Sequence, residues 1–263
     1  MRARGLLLLT AITAGALAVL IGLGVWQLQR LQWKEGLIAE IEARTKAPPI
    51  SLEEAVQRAR KGEDVSYLRL GVDGRFDNGK ERYLFATADG SVGWHVITPL
   101  TTAKGEVVLV DRGFVPDALK DPAARAEGEI PDAVTVTGLA RVPERQGTFV
   151  PDNNPKRNRW FWRDLGAMAT SMFPSGAPDV APFFLEAEKS DIPGGWPVGG
   201  QTQLDLPNPH LQYAITWFAI AFCLVVIYVL YVWSRWDGDL PDRSAGCREG
   251  LRQLGSAELP KPF

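Results

Sequence analysis

Residues 5–26 read GLLLLTAITAGALAVLIGLGVW, an apolar run that contains no charged residue. A second apolar run, LQYAITWFAIAFCLVVIYVLYVW, occupies residues 211–233. At a helical rise of about 1.5 Å per residue, each run is long enough to cross the roughly 30 Å hydrocarbon core of a bilayer. Trp26 and Trp233 lie where these runs end, and aromatic residues are typical of the headgroup region. The sequence therefore predicts two membrane-spanning helices.

The first run also resembles a secretory signal peptide. Arg2 and Arg4 precede it, and Ala16-Leu17-Ala18 has the form of a cleavage site. The apolar stretch continues beyond Ala18 to Val25, however, and exceeds the roughly 7–15 residues of a signal-peptide core. We therefore favour an uncleaved anchor.

Two spans place both termini on one side of the membrane and the long middle segment on the other. Arginines at both termini favour a cytoplasmic location for them, whereas Arg30 and Lys34 beyond the first span oppose it. The positive-inside rule weakens for long translocated domains, so the short termini decide the orientation. The predicted order is a cytoplasmic N-terminus at 1–4, a transmembrane helix at 5–28, an extracytoplasmic β-rich domain at 29–207, a transmembrane helix at 208–233 and a cytoplasmic tail at 234–263.

Composition disfavours several classes of function. Lys+Arg 29 against Asp+Glu 31 give a formal net charge of −2, so the chain lacks the basic field that nucleic-acid binding needs. With His 2, Cys 2 and no Cys-x-x-Cys pair, zinc ribbons, zinc hydrolases and thioredoxin-like chemistry are disfavoured as well. Residues 29–207 contain no cysteine, so the core of the middle domain must be stable without a disulfide.

The middle segment changes from helical to strand periodicity. Apolar residues from Leu28 to Ile41 keep helical spacing, which predicts that the first helix continues toward Arg44. A capping-box sequence at residues 51–54 predicts a short helix that ends near Gly62. Alternating or compact apolar runs then predict strands at 68–76, 92–98, 107–110, 134–142 and 183–185. Turns are predicted at 88–90 and 103–105, and a brief helix that Asp164 caps is predicted to run through Met172. We predict an α+β fold in which two transmembrane helices flank a small antiparallel sheet or partly closed barrel.

His210 is the most informative candidate ligand. In Asn208-Pro209-His210, Asn208 suits an N-cap and Pro209 the first helical position, so the ring falls in the first turn of the second span. The positive end of the helix dipole favours the neutral imidazole that a metal or haem iron requires. Tyr213 and Trp217 share its helix face and offer a surface for a flat macrocycle. An interfacial histidine that is hydrogen-bonded to a backbone carbonyl is the alternative.

Three other features have both a structural and a functional interpretation. A stripe of small residues on the first span either packs against Ala214 and Ala221 or bounds a cofactor groove; its members are Ala11, Gly15, Ala18 and Gly22. His95 is favoured as a half-buried strand histidine, because no nucleophile elbow accompanies it. Residues 156–163 mix basic and aromatic side chains, which suits either a solvated loop or a surface for anionic headgroups, cofactor carboxylates or an acidic partner.

The run GVWQLQRLQWK at residues 24–34 resembles the entry motif of the surfeit locus protein 1 family, the membrane-bound cytochrome c oxidase assembly factors. Further segments are similar to the family in the same order, at residues 74–77, 93–99, 111–116, 158–164, 195–202 and 208–217. Together they cover nearly everything from Gly22 to Trp217. Pro209 stands where the family pattern usually has an asparagine.

The resemblance implies a non-enzymatic assembly factor that binds haem a and assists its insertion into subunit I of cytochrome c oxidase. It implies His210 as the axial ligand of the haem iron, next to the surface formed by Tyr213 and Trp217. Subunit I, a haem a synthase and membrane lipid are then the expected partners, with no nucleic acid.

Two other functions remain open. A cofactor-free scaffold that stabilises an oxidase assembly intermediate would use the same fold, and an unrelated membrane-anchored enzyme would need a catalytic set that includes His95. No amphipathic, Arg-rich leader precedes Gly5, which favours a bacterial inner membrane with the main domain in the periplasm.

Overall fold

The computed structural model describes residues 3–88, 90–176, 178–202 and 206–237. It divides into a helical unit, Met1–Glu35 with Pro207–Phe263, and a β-rich unit, Gly36–Leu206. The helices of the described part are α1 (Ala3–Lys46), α2 (Leu52–Arg60), α3 (Leu165–Met172) and α4 (His210–Asp237). Asp89 of the first predicted turn and the tail beyond residue 237 lie outside the described residues.

The two predicted spans are helices. Both α1 and α4 are long and apolar enough to cross a membrane. α1 continues without interruption to Lys46, which confirms the predicted extension toward Arg44. Ahead of α2, the Ser51 hydroxyl accepts a hydrogen bond from the Glu54 amide at 3.2 Å, as the capping box predicts. The carboxylate of Glu54 pairs instead with Arg58, so the reciprocal bond of the box is not made.

In the helical unit, α1 and α4 meet through one side of each helix. Gly24 of α1 is buried, and a Cβ at this position would lie 2.7 Å from the Phe218 ring of α4. Ala214 and Ala221 of α4 are 1% and 5% exposed, as predicted. The prediction that the stripe of small residues on α1 packs against α4 is wrong, because Ala11, Gly15, Ala18 and Gly22 are all exposed. Gly22 and Gly24 point about 200° apart around a helix, so contact through Gly24 turns the stripe away from α4.

The strands of the β-rich unit form one sheet that closes on itself. They are β1 (Arg69–Phe76), β2 (Arg82–Ala88), β3 (Ser91–Thr101), β4 (Val107–Pro116), β5 (Ala133–Arg141) and β6 (Val180–Ala187), in the spatial order β1-β5-β6-β4-β3-β2. β1 also pairs with β3, where Arg75 lies opposite Thr101, so every strand except β2 belongs to a closed barrel. The predicted β-rich domain is confirmed, with β2 as a strand that the periodicity did not identify.

The barrel has one parallel pair, β4 with β6, among antiparallel neighbours. Both strands are buried on two faces. Val108 and Val110 of β4 lie in one core cluster and Leu109 in a second. Phe183 and Phe184 of β6 divide in the same way between the two clusters. This double burial explains why the sequence shows continuous apolar runs at 107–110 and 183–185 where the other strands alternate.

Candidate functional site

His210 is the first residue of α4. The Tyr213 amide donates to the Pro209 carbonyl at 3.3 Å, and Lys34 Nζ of α1 donates to the Pro207 carbonyl. Asn208 does not cap the helix as predicted, because its Oδ1 is buried with no hydrogen-bond partner among the described residues. α4 begins at His210, so Pro209 occupies the N-cap position and the Asn208 side chain lies one residue too early to reach the amides of the first turn.

The His210 ring is oriented by a side chain of α1. Its Nδ1 lies 2.8 Å from Gln27 Oε1. An amide oxygen only accepts, so Nδ1 carries the proton and donates it, and the neutral ring has its lone pair on Nε2. No hydrogen bond joins Nε2 to any residue in the described part of the chain. Histidines that bind metals are held in this way, with one ring nitrogen fixed by a hydrogen-bond acceptor and the other available to the ligand.

Tyr213 and Trp217 differ in their surroundings. Trp217 is half-buried on the side of α4 that carries Ala214, whereas Tyr213 is 53% exposed at the flank of that side. The structure therefore places His210 against α1, through Gln27, leaves Trp217 half-buried, and leaves the Tyr213 ring on an open surface. Gln27, the residue that sequence reasoning missed, lies within the segment at 24–34 that carries the family resemblance.

His95 lies in a second cluster of polar side chains, in the β-rich unit. Its Nδ1 donates to Asp111 of β4 at 2.8 Å, and Asp111 also accepts from Arg163 Nη2 at 2.9 Å. Arg163 continues the cluster to Glu186 of β6 at 3.0 Å. Burial lowers the pKa of His95, but the Asp111 carboxylate, with a contribution from Glu186, raises it, and the pKa of His95 is raised in sum. Burial also opposes ionisation of Asp111, yet His95 and Arg163 lower its pKa to about 2.

This His95 cluster brings together segments that are distant in the sequence. Thr202 donates to Glu186 Oε2 at 2.7 Å and so ties residues 195–202 to β6. The backbone of the same segment pairs with β4, where the Phe114 amide donates to the Val198 carbonyl at 3.0 Å. His95, Asp111, Arg163 and Thr202 each come from a different segment that carries the family resemblance. Their convergence was not deducible from the sequence, because it depends on the parallel pairing of β4 and β6.

The basic and aromatic stretch at 156–163 separates into two parts. Lys156, Arg157 and Arg159 are exposed, as both the solvated-loop and the anion-facing interpretations predict. Trp160 is fully buried in the cluster under α3, and its backbone pairs with β2 through a 2.7 Å bond from the Phe85 amide to the Trp160 carbonyl. This stretch therefore covers part of the outer edge of β2.

A further buried charge cluster holds the segment after β4 in place. Arg125 and Glu81, whose side chains are 1% and 3% exposed, form an ion pair at 2.5 Å. Arg125 also pairs with Glu129, and the Tyr83 hydroxyl donates to Glu81 at 2.9 Å. Burial, followed by the Glu81 carboxylate, raises the pKa of Tyr83. These contacts join the segment to β2, and we assign the cluster a structural role.

The described residues contain no group of three or more His, Cys, Asp or Glu side chains placed to hold a metal ion. Within the described part of the helical unit His210 supplies the one imidazole, and a single axial nitrogen suits an iron whose equatorial ligands come from a macrocycle.

Comparison with known proteins identifies the family. The model of the SURF1 family matches residues 14–222. Surfeit locus protein 1 of Homo sapiens is 39% identical over 233 residues, which cover 82% of this chain and 72% of the human protein. The SURF1-like protein of Monosiga brevicollis is 37% identical over 247 residues, with 89% and 87% of the two chains covered. Surfeit locus protein 1 of Takifugu rubripes is 35% identical over 232 residues, with 81% and 92% covered. Two candidate membrane spans and these matches make the chain a membrane protein that belongs to the SURF1 family.

Proposed function

We propose that this chain is an assembly factor for cytochrome c oxidase that binds haem a and assists its insertion into subunit I. Membership of the SURF1 family supports this proposal, together with the family resemblance of the segment that contains His210. The observation that carries it is the 2.8 Å hydrogen bond between His210 Nδ1 and Gln27 Oε1, which leaves Nε2 available. A haem carrier needs a ligand atom that is held in a fixed orientation, and it does not need catalytic residues. We therefore propose a binding protein and not an enzyme.

The residues of the helical unit suit haem. When bound, haem a supplies an iron that takes an imidazole nitrogen as an axial ligand. His210 would provide that nitrogen, and Gln27 would fix the ring's tautomer and orientation. Tyr213 and Trp217 would lie against the macrocycle, Tyr213 from the exposed flank of α4 and Trp217 from its half-buried side. One histidine gives one axial bond, which suits a cofactor that has to be passed on.

The proposed location is a bacterial inner membrane, with both termini in the cytoplasm and the β-rich unit in the periplasm. His210 would then lie near the periplasmic surface of the bilayer, at the first turn of α4. Subunit I, a haem a synthase and membrane lipid are the proposed partners.

The test is to purify the full chain in detergent from cells that make haem a, and to measure its absorption spectrum and haem content. We expect His210→Ala to abolish the haem a spectrum, because no other imidazole is available in the described helical unit. Gln27→Ala should keep the histidine but weaken haem binding by roughly 10–100-fold, since outer-shell partners of metal ligands have effects of this size. Gln212→Ala, an exposed neighbour on α4, is the matched control and should bind haem normally.

Circular dichroism and size-exclusion chromatography establish that each variant is folded, and His210→Gln provides a second variant with a polar side chain. Full haem content in both folded His210 variants would rule out His210 as the ligand. A wild-type protein that carries no haem a, yet co-purifies with subunit I, would favour the cofactor-free scaffold.

A further inference from the structure

A polar cleft of about 490 Å³ opens in the β-rich unit beside the His95 cluster, and the proposed function does not use it. Side chains from β2, β3, β5 and β6 and from two loops line it, among them His95, Arg141, Arg163, Glu186, Gln201 and Thr202. The cleft is therefore built from residues that are far apart in the sequence but rigidly placed by the barrel.

The carboxylates of the cluster are already occupied by protein donors. Glu186 forms an ion pair with Arg163 Nη2 at 3.0 Å and accepts a hydrogen bond from Thr202 at 2.7 Å, and Arg141 Nε lies 3.4 Å away. Asp111, which is almost fully buried, accepts from His95, from Arg163 and from the Gly113 amide at 3.1 Å. Little acceptor capacity remains for a cationic ligand.

The donors around the cleft are only partly used. Arg141 Nη1 donates to the Tyr67 hydroxyl at 2.7 Å, but its Nη2 and Nε reach Glu144 and Glu186 only at 3.4 Å. The His95 Nε2 makes no hydrogen bond with any residue that the structure describes. Arg163 Nη1 has Glu144 Oε1 at 3.5 Å, longer than a good hydrogen bond, so this nitrogen is the spare donor of Arg163, whereas its Nε is buried away from the cleft's solvent. The Gln201 side chain is exposed at the rim, and no hydrogen bond joins it to the described residues. A site with spare donors and satisfied acceptors suits a ligand that only accepts.

We propose that this cleft binds an oxyanion, the carboxylate or phosphate group of a small molecule, with His95, Arg141, Arg163 and Gln201 as donors. Arginine is suited to both groups, because its planar guanidinium matches their oxygens in pairs. The cleft lies in the β-rich unit and shares no residue with the proposed haem site of the helical unit.

The charge on His95 makes binding depend on pH. The groups that face His95 are Asp111 on β4, Glu186 on β6 and Arg163 before α3, with Arg141 of β5 across the cleft. The carboxylates of Asp111 and Glu186 favour the charged form of the His95 ring, whereas Arg163 disfavours it. The net result is that the pKa of His95 is raised. Anion affinity is therefore greatest below this pKa and falls as pH rises through it.

The test is isothermal titration calorimetry on the full chain in detergent, with inorganic phosphate in one arm and succinate in the other. Sodium chloride keeps the ionic strength constant. Binding of either anion above the chloride background supports the site and identifies which oxyanion it prefers. If neither anion binds at pH 6, the proposal is overturned.

Two variants connect binding to the cleft. Arg141→Gln should weaken it by roughly tenfold or more, since one charge-assisted hydrogen bond is lost. His95→Gln should remove the fall in succinate affinity between pH 6 and pH 8.5. Phosphate does not serve for this comparison, because its own charge changes in that range. Arg60→Gln removes the same charge from an exposed ion pair with Asp179 and should bind like the wild type. Equal affinity in Arg141→Gln and Arg60→Gln, with both folded by circular dichroism, would refute the assignment.

Discussion

Replacement of Gly113 by alanine should detach the segment at 195–202 from β4. Gly113 has a φ of +116°, which is costly for any residue with a Cβ. A Cβ at this position would lie 2.0 Å from the Val198 carbonyl oxygen and 2.6 Å from the Gly199 nitrogen. Both contacts are with backbone, so a change of rotamer cannot relieve them. The substitution must therefore separate the two backbones.

The expected cost follows from the contacts that would be lost. Phe114 and Val198 exchange two backbone hydrogen bonds, of 3.0 Å and 2.9 Å. At about 1 kcal/mol each, their loss destabilises the unit by about 2 kcal/mol. The strained backbone adds about 1–3 kcal/mol. We expect Gly113→Ala to lower the free energy of unfolding by about 3–5 kcal/mol.

Gly105→Ala is the matched control for backbone strain. Gly105 also has a positive φ, +84°, but a Cβ there meets nothing within 4 Å, so alanine should cost about 1–2 kcal/mol. The difference of about 2–3 kcal/mol corresponds to a Tm roughly 5–10 °C lower for Gly113→Ala than for Gly105→Ala. Thermal unfolding of the detergent-solubilised full chain, followed by circular dichroism, measures this difference. Equal Tm values would refute the steric argument.

Two further predictions concern the buried charges. Arg125→Ala removes the shortest ion pair of the buried Glu81, whose remaining partners are the Tyr83 hydroxyl at 2.9 Å and Arg112 at 3.6 Å, and should lower the free energy of unfolding by about 3 kcal/mol in guanidinium titrations. The His95–Asp111 pair should stabilise the fold most between about pH 4 and 6.5, the ordinary pKa values of the two groups. Below this range stability is lost as pH falls through the lowered pKa of Asp111, about 2, and above it as pH rises through the raised pKa of His95. His95→Gln should abolish the alkaline loss, measured as the difference in unfolding free energy between pH 6 and pH 8.5.

Each of these predictions has a control. Arg60→Ala breaks an exposed ion pair with Asp179 and should cost less than about 1 kcal/mol. A similar cost for Arg125→Ala would mean that the charges at Glu81 are solvated. For the pH prediction, an alkaline loss that persists in His95→Gln would show that another group causes it.

Much of the fold follows from local signals in the sequence. The lengths of the apolar runs predict α1 and α4, and the capping residues Ser51 and Asp164 mark the starts of α2 and α3. Asp164 accepts from the Ala167 amide at 3.0 Å, as a helix N-cap does. These features depend on neighbours within a few residues, so a single sequence contains them.

Features that depend on distant partners were not predictable in this way. The parallel pairing of β4 with β6, and hence the His95 cluster, requires knowledge of which strands meet. The side of α1 that faces α4 was mispredicted, because small residues occur on both sides of the helix and only Gly24 meets the Phe218 ring. At the candidate haem site, His210 was identified from its position, whereas Gln27 is 183 residues away in the chain.

The order of strands in the barrel has a consequence for its biogenesis. Among the strands of the described residues β6 comes last in the sequence, yet it lies between β5 and β4 in the interior of the sheet. While the ribosome is still synthesising the protein, β1 to β5 can emerge and pair, but a gap stays open between β4 and β5. The barrel closes only when residues 180–187 arrive, shortly before α4 is made. Until then, Phe183, Phe184 and their neighbours have no partners, so a ribosome stalled between β5 and β6 would leave an open, aggregation-prone sheet.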